Sequence, residues 1–213
     1  MLDIDIREPL FDYLDERYKK VRTIEEKTIK NSRADVIAVV DGELIGFEIK
    51  SDNDSYTRLK TQIKDYDQFC DRCYIVVGER HVQVEKHVPD YWGIIFVNEE
   101  NVIVERDAEK SPKVKLYNQL DLLWRNELAE IQEKEGLPKL TGTKRRVIYD
   151  RLVSTAGEPT IKRDMTEQLF ERDYTIYDTG IVKKKRKAKR IRSKASSDKS
   201  RAHVTNYIGK RKK

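Results

Sequence analysis

The stretch Arg33-Ala34-Asp35-Val36-Ile37-Ala38-Val39-Val40-Asp41-Gly42-Glu43-Leu44-Ile45-Gly46-Phe47-Glu48-Ile49-Lys50 reads as one β-hairpin. Asp-Gly between two apolar runs is a strong turn signal, because a type I′ turn needs positive φ at both central residues. A two-residue loop at Asp41-Gly42 sets Val40 opposite Glu43. Stepping outward in that register, Asp35 falls opposite Glu48. Side chains alternate faces along a strand, so Glu48 and Lys50 share one face and Ile49 points to the other. Two carboxylates opposed across a strand pair repel. Their placement beside a lysine predicts a cation held between them. The alternative is an exposed strand face with scattered charges.

The rest of the chain builds outward from this hairpin. Residues 5–20 are expected to form a helix, with Asp5 and Glu8 as a capping box, Pro9 near the first turn, and Ile6, Leu10, Leu14, Tyr18 and Val21 as its buried stripe. Residues 23–30 alternate too weakly to assign firmly, with Thr28-Ile29 as the candidate start of a short strand. After a loop at 52–55, a helix ends near Phe69 and carries Tyr56, Leu59, Ile63, Tyr66 and Cys70 at helical spacing. Cys73 to Val77 is a continuous apolar run closed by Gly78, as in a strand covered on both faces. Hairpin, helix and strand make a βαβ unit and therefore a mixed sheet. Glu79 to Val88 reads as a short helix or loop, and 92–97 and 102–105 as two further paired strands. Residues 119–133 read as a helix stopped by Gly136-Leu137-Pro138, a second helix begins around Thr141–Lys144, and 159–172 holds a last one.

Charge divides the chain. From Lys183 to the end there are fifteen Lys/Arg and one acid, Asp198, a local charge of +14. The whole chain carries +6, so the remainder carries −8. An acidic body with a basic tail points to a polyanionic partner. The tail is poor in large apolar residues and is expected to be disordered when free. Cys70 and Cys73 form a single C-x-x-C, and His81, His87 and His203 are not spaced to complete a zinc site, so the two are read as plain thiols. The acidic start lacks an apolar signal region, and no apolar run approaches the ~20 residues of a membrane span. The expectation is a soluble, cytoplasmic protein with no membrane partner.

Asp35, then Glu48-Ile49-Lys50 a hairpin's length on, resembles the PD-(D/E)XK nuclease superfamily, with Ala34 where a proline usually precedes the aspartate. The wider run Gly46–Asp52, with Gln62-Ile63, Tyr66 and Val76–His81, is similar to a small bacterial and phage family of that superfamily. This resemblance covers residues 4 to about 105. It implies a restriction-endonuclease-like α/β core, a mixed central sheet flanked by helices. It further implies Mg²⁺- or Mn²⁺-dependent hydrolysis of DNA, expected to be endonucleolytic. Metal lowers the pKa of bound water and offsets phosphate charge. Asp35, Glu48 and the Ile49 carbonyl would hold the metal, and Lys50 would hold the attacking water or stabilise the developing charge. The resemblance adds Glu8 as a further metal ligand, against its capping reading, and Gln62 as a residue lining the site, against a half-buried amide. His81 is left as a loop histidine within reach of substrate or incidental to it.

Residues 127–152, through Gly136-Leu137-Pro138 and Thr141–Lys144, resemble the SAP motif, a small helical DNA-binding unit. Lys144, Arg145 and Arg146 would meet phosphate there, and Lys183, Lys184, Lys185, Arg186 and Lys187 would add attachment without sequence preference. A helical hairpin that packs on the first domain or mediates a homodimer is the competing reading. The expected organisation is a nuclease-like domain at 1–115, a SAP-like unit at 118–156, a helical linker at 157–182 and the basic tail at 183–213. DNA is the expected partner, with RNA left open. A non-catalytic nucleic-acid-binding protein on a nuclease-like scaffold is the competing function.

Overall fold

The computed structural model describes residues 1–78, 80–81, 83–98, 101–140 and 142–174. It contains the expected mixed α/β architecture, a central sheet flanked by helices. The element order is α1 (Asp3–Arg17), β1 (Arg22–Ile29), β2 (Ser32–Val40), β3 (Glu43–Lys50), α2 (Leu59–Phe69), β4 (Arg72–Val77), a single 3-10 turn (Val84–Lys86), β5 (Gly93–Val97), β6 (Val102–Arg106), α3 (Leu116–Leu120), α4 (Arg125–Lys134), α5 (Arg145–Ala156) and α6 (Glu158–Glu171). The strands lie side by side in chain order. The β1–β2–β3 portion is antiparallel, β3–β4 and β4–β5 are parallel, and β6 returns antiparallel to β5.

The hairpin register is the one the Asp-Gly turn dictates. Val40 pairs with Glu43, and the ladder runs outward to Val36 and Phe47. Gly42 takes φ +72°, as the turn requires. Period-two alternation then sorts the side chains. Val36, Ala38, Ile45, Phe47 and Ile49 face α1, which buries Ile6, Leu10 and Leu14 on that side. Ile37, Val39 and Leu44 face the opposite layer, built by α2 and the C-terminal helices. Leu120, Leu128, Ile148, Leu152, Met165 and Leu169 belong to that same buried cluster. Each fully buried Leu or Ile contributes ~2 kcal/mol of transfer free energy, so a continuous cluster of this size couples the helices to the sheet.

Several boundaries differ from the sequence expectation. Helix α1 starts two residues earlier, with Leu2 at the N-cap, and the Leu2 amide donates to Asp5 Oδ2 at 2.7 Å. Asp5 thus fills the role expected of Glu8, because the carboxylate that reaches back to the cap lies three residues into the helix. Residues 22–29 form a full strand despite their weak pattern; Glu26, at φ 53°, interrupts the alternation. The helix expected over 119–133 is two helices, α3 and α4, broken at 121–124. Tyr56 precedes α2 instead of lying in it. The basic segment 183–213 lies outside the described residues. Among the described residues no helix is long and apolar enough to cross a membrane.

Candidate functional site

Three of the residues singled out in the sequence are hydrogen-bonded together on the α2 side of β3. Lys50 Nζ donates to Glu48 Oε1 at 2.7 Å and to Gln62 Oε1 at 3.2 Å, and Gln62 Nε2 donates to the same Glu48 oxygen. Strand alternation places Glu48 and Lys50 on one face, and α2 carries Gln62 across it. Glu48 is 1% exposed and Lys50 4%. The second Glu48 oxygen, Oε2, is buried without a hydrogen-bond partner. An unmatched buried oxygen favours the protonated carboxyl. Burial accordingly pushes Glu48 up, against the opposing pull of the Lys50 ammonium and the Gln62 amide.

Asp35 sits just beyond the last paired step between β2 and β3. The ladder stops one step short of it, at Val36 and Phe47. There the Tyr66 hydroxyl takes a hydrogen bond from the Asp35 amide at 3.0 Å and donates to the Phe47 carbonyl at 3.1 Å. The Asp35 side chain accepts from the Ile49 amide at 2.8 Å. Ile49 therefore meets Asp35 through its N–H, and its side chain is buried against α1. Burial, then the neighbouring Glu48 charge, pushes the Asp35 carboxyl up to about 8, against the pull of the Ile49 amide and Arg7. Two adjacent carboxyls of this kind resist carrying two negative charges at once.

Arg7 was not singled out in the sequence, yet it is the α1 residue that reaches this end of the sheet. Its guanidinium bonds to Asp3, to Glu25 at 3.1 Å, to Glu26 at 2.6 Å and to the Asp35 carbonyl at 3.2 Å. Glu8, one residue on, is exposed, and no hydrogen bond of the site reaches it. Arg7 left no local signal, because most of its acidic partners come from β1. Tyr66 was read only as part of a core stripe, which it also is.

The cations expected at the α5 N-terminus divide. Arg145 donates to the Leu120 and Leu123 carbonyls at 3.2 and 2.6 Å and to the Tyr149 hydroxyl, so it fastens α5 to α3. Lys144 is exposed. Arg146 is 72% exposed, with its guanidinium 4.1 Å above the Tyr117 ring and 3.6 Å from Asp150. His81 joins Tyr56 and the Ser51 carbonyl.

Among the described residues, no group of three or more His, Cys, Asp or Glu side chains is placed to hold a metal ion. The family to which the chain matches points away from a nuclease as well. A family model described as Bacteriophage P4 protein cII matches residues 3–198. No curated protein matches. Among solved structures, the SPO1766 protein of unknown function from Silicibacter pomeroyi matches at 18% identity and a TM-score of 0.47, over 57% of this chain and 81% of that one. The PD-(D/E)XK assignment, and with it the metal-dependent deoxyribonuclease, is therefore corrected. The family match covers nearly the whole chain and is to a different family, and among the described residues the acids do not assemble into a three-ligand cluster. The fold shown is a mixed sheet flanked by helices, and the finer restriction-endonuclease-like and SAP-like labels rested on resemblance alone. The phage family bears out the expected phage or bacterial, cytoplasmic setting.

Proposed function

Because this chain belongs to the Bacteriophage P4 protein cII family, and because its positive charge is gathered into one segment, we propose that it binds nucleic acid, DNA foremost, without cleaving it. The charge separation carries the proposal. The segment from Lys183 holds +14 and the rest holds −8. A polycation of this density gains affinity by releasing counterions from phosphate, and an acidic body keeps the rest of the chain off the polyanion. Exposed Lys144 and Arg146 add two cations from the folded body. The Glu48–Lys50–Gln62 network supports a structural role for that cluster, since the ammonium is already matched by a carboxylate and an amide and is almost fully buried.

The test is fluorescence anisotropy with labelled duplex DNA over a salt series, followed by gel analysis of the recovered DNA. Affinity is expected to fall linearly in log–log form with salt, and the duplex is expected to come back full length with or without added Mg²⁺. Replacing Lys183, Lys184, Lys185, Arg186 and Lys187 together by glutamine should flatten the salt slope by up to about 4.5 and weaken binding. Salt-independent binding, or no binding at low salt, would sink the proposal. Competition with matched RNA tests the preference for DNA.

A further inference from the structure

The loops that leave the C-terminal ends of β3 and β4 carry three aromatic rings that the hairpin cluster does not use. These strands are parallel neighbours, paired to their ends at Lys50 and Val77, so their loops emerge side by side. Tyr56 comes from the first, His81 and His87 from the second. His81 Nε2 lies 2.9 Å from the Ser51 carbonyl. A carbonyl only accepts, so Nε2 carries the proton. In the neutral imidazole Nδ1 is then the acceptor for the Tyr56 hydroxyl, at 2.7 Å. That pair of bonds clips one loop to the other and fixes the Tyr56 ring. His87 stacks on Tyr56, with centroids 4.1 Å apart and planes 22° from parallel. Val84 and Val88, both buried, anchor the chain on either side of His87.

His87 is nevertheless exposed. Tyr56 covers one face of the ring, and the residue still stands open to solvent. Each ring also has a cation close in sequence, and all three cations are exposed: Arg58, Arg80 and Lys86. Asp52 lies 3.7 Å from Arg80, and Glu85 adjoins Lys86. An exposed ring backed by a second ring, with exposed cations close to it in sequence, is what an unpaired base with its phosphates requires. A duplex keeps its base faces covered and cannot use them.

We propose that the Tyr56–His81–His87 cluster is a stacking site for an unpaired base of single-stranded nucleic acid, with the base against the His87 ring and Arg58, Arg80 and Lys86 beside the phosphates. This rests on the reading that the chain binds nucleic acid, and it specifies where and in which form.

The experiment uses the full chain, a labelled oligodeoxythymidine and a labelled duplex, at one fixed, moderate salt concentration. His87→Ala should weaken single-strand binding about tenfold and leave duplex binding unchanged. His87→Trp should restore or tighten it. With wild type and His87→Trp, a 2-aminopurine in the strand should show the fluorescence change of stacking, and with His87→Ala it should not. His87 is exposed, so neither change threatens the fold. If His87→Ala alters neither affinity, or alters both equally, the stacking site is wrong while the nucleic-acid reading stands. If wild type binds neither ligand, the nucleic-acid reading fails and takes the site with it.

Discussion

At the scale of single residues, the hairpin end holds charge under tension. The folded chain holds the Asp35 proton up to about pH 8, whereas an ordinary aspartate releases it near 3.8. Between those values folding takes up a proton, so this group makes stability fall as pH rises. Below about 4 both states are protonated and the effect vanishes; above about 8 the full penalty is present. The denaturant midpoint is therefore expected to decline from pH 5 to pH 9, and Asp35→Asn is expected to flatten that decline. An Asp35→Asn chain with the wild-type pH slope would show that the slope arises elsewhere. Lys50 makes the complementary case. Lys50→Met leaves Glu48 buried with no cation and should cost about 3 kcal/mol, because breaking one half of a buried pair strands the other. Glu48→Gln combined with Lys50→Met should recover much of that loss in the same urea titration. Equal losses in the single and double variants would mean that packing, not charge, dominates at this position.

At the scale of elements, the hairpin was legible and its neighbours were less so, for identifiable reasons. Asp41-Gly42 fixed a two-residue turn, and alternation carried the register outward to Val36 and Phe47. The direct Asp35–Glu48 pairing expected from that register did not form, because Tyr66, eighteen residues away in sequence from Glu48, enters where the ladder ends. Strand β1 was legible only at Thr28-Ile29, because left-handed Glu26 breaks its period and its turn to β2 uses Lys30-Asn31 in place of a glycine turn. Gly46 shows how close α2 must come to β3. A Cβ there would lie 2.6 Å from a Tyr66 ring carbon and 2.7 Å from the Cys70 sulfur. Both neighbours are fully buried ring or thiol groups with little room to move. Gly46→Ala should thus destabilise the fold by about 1–3 kcal/mol and weaken the Tyr66 clip on Asp35. Thermal unfolding measures the first effect, and backbone hydrogen exchange at Asp35 the second. Wild-type stability in Gly46→Ala would mean that α2 can withdraw without cost.

At the scale of the whole molecule, the sheet and the C-terminal helices are tied by buried polar groups as well as by apolar contact. Asp71 accepts from the Leu44 amide at 2.9 Å, from Gln119 at 2.9 Å and from Lys162, so one carboxylate joins β3, α3 and α6. Arg172 is held by both Glu127 oxygens at 2.6 Å and by the Leu122 carbonyl, with its guanidinium 4.3 Å from the Trp124 ring. Arg22 of β1 lies 4.7 Å from the Tyr174 ring, so the segment after α6 covers the sheet edge. Each of these contacts joins residues at least 27 apart in sequence, so no local pattern signals any of them. Such coupling predicts one cooperative unfolding transition for sheet and helices together. A Trp124→Phe chain leaves Trp92, buried beside Asp67, as the sole tryptophan. Its fluorescence reports the sheet, and far-UV circular dichroism reports mainly the helices. The two should give the same midpoint in urea. Arg172→Met, which strands the Glu127 carboxylate, should move both down together by about 3–5 kcal/mol of stability. Were the helical signal to fall at lower urea while Trp92 stayed native, the helices would be a separate folding unit resting on the sheet, and the shared core would contribute less cohesion than its continuity implies.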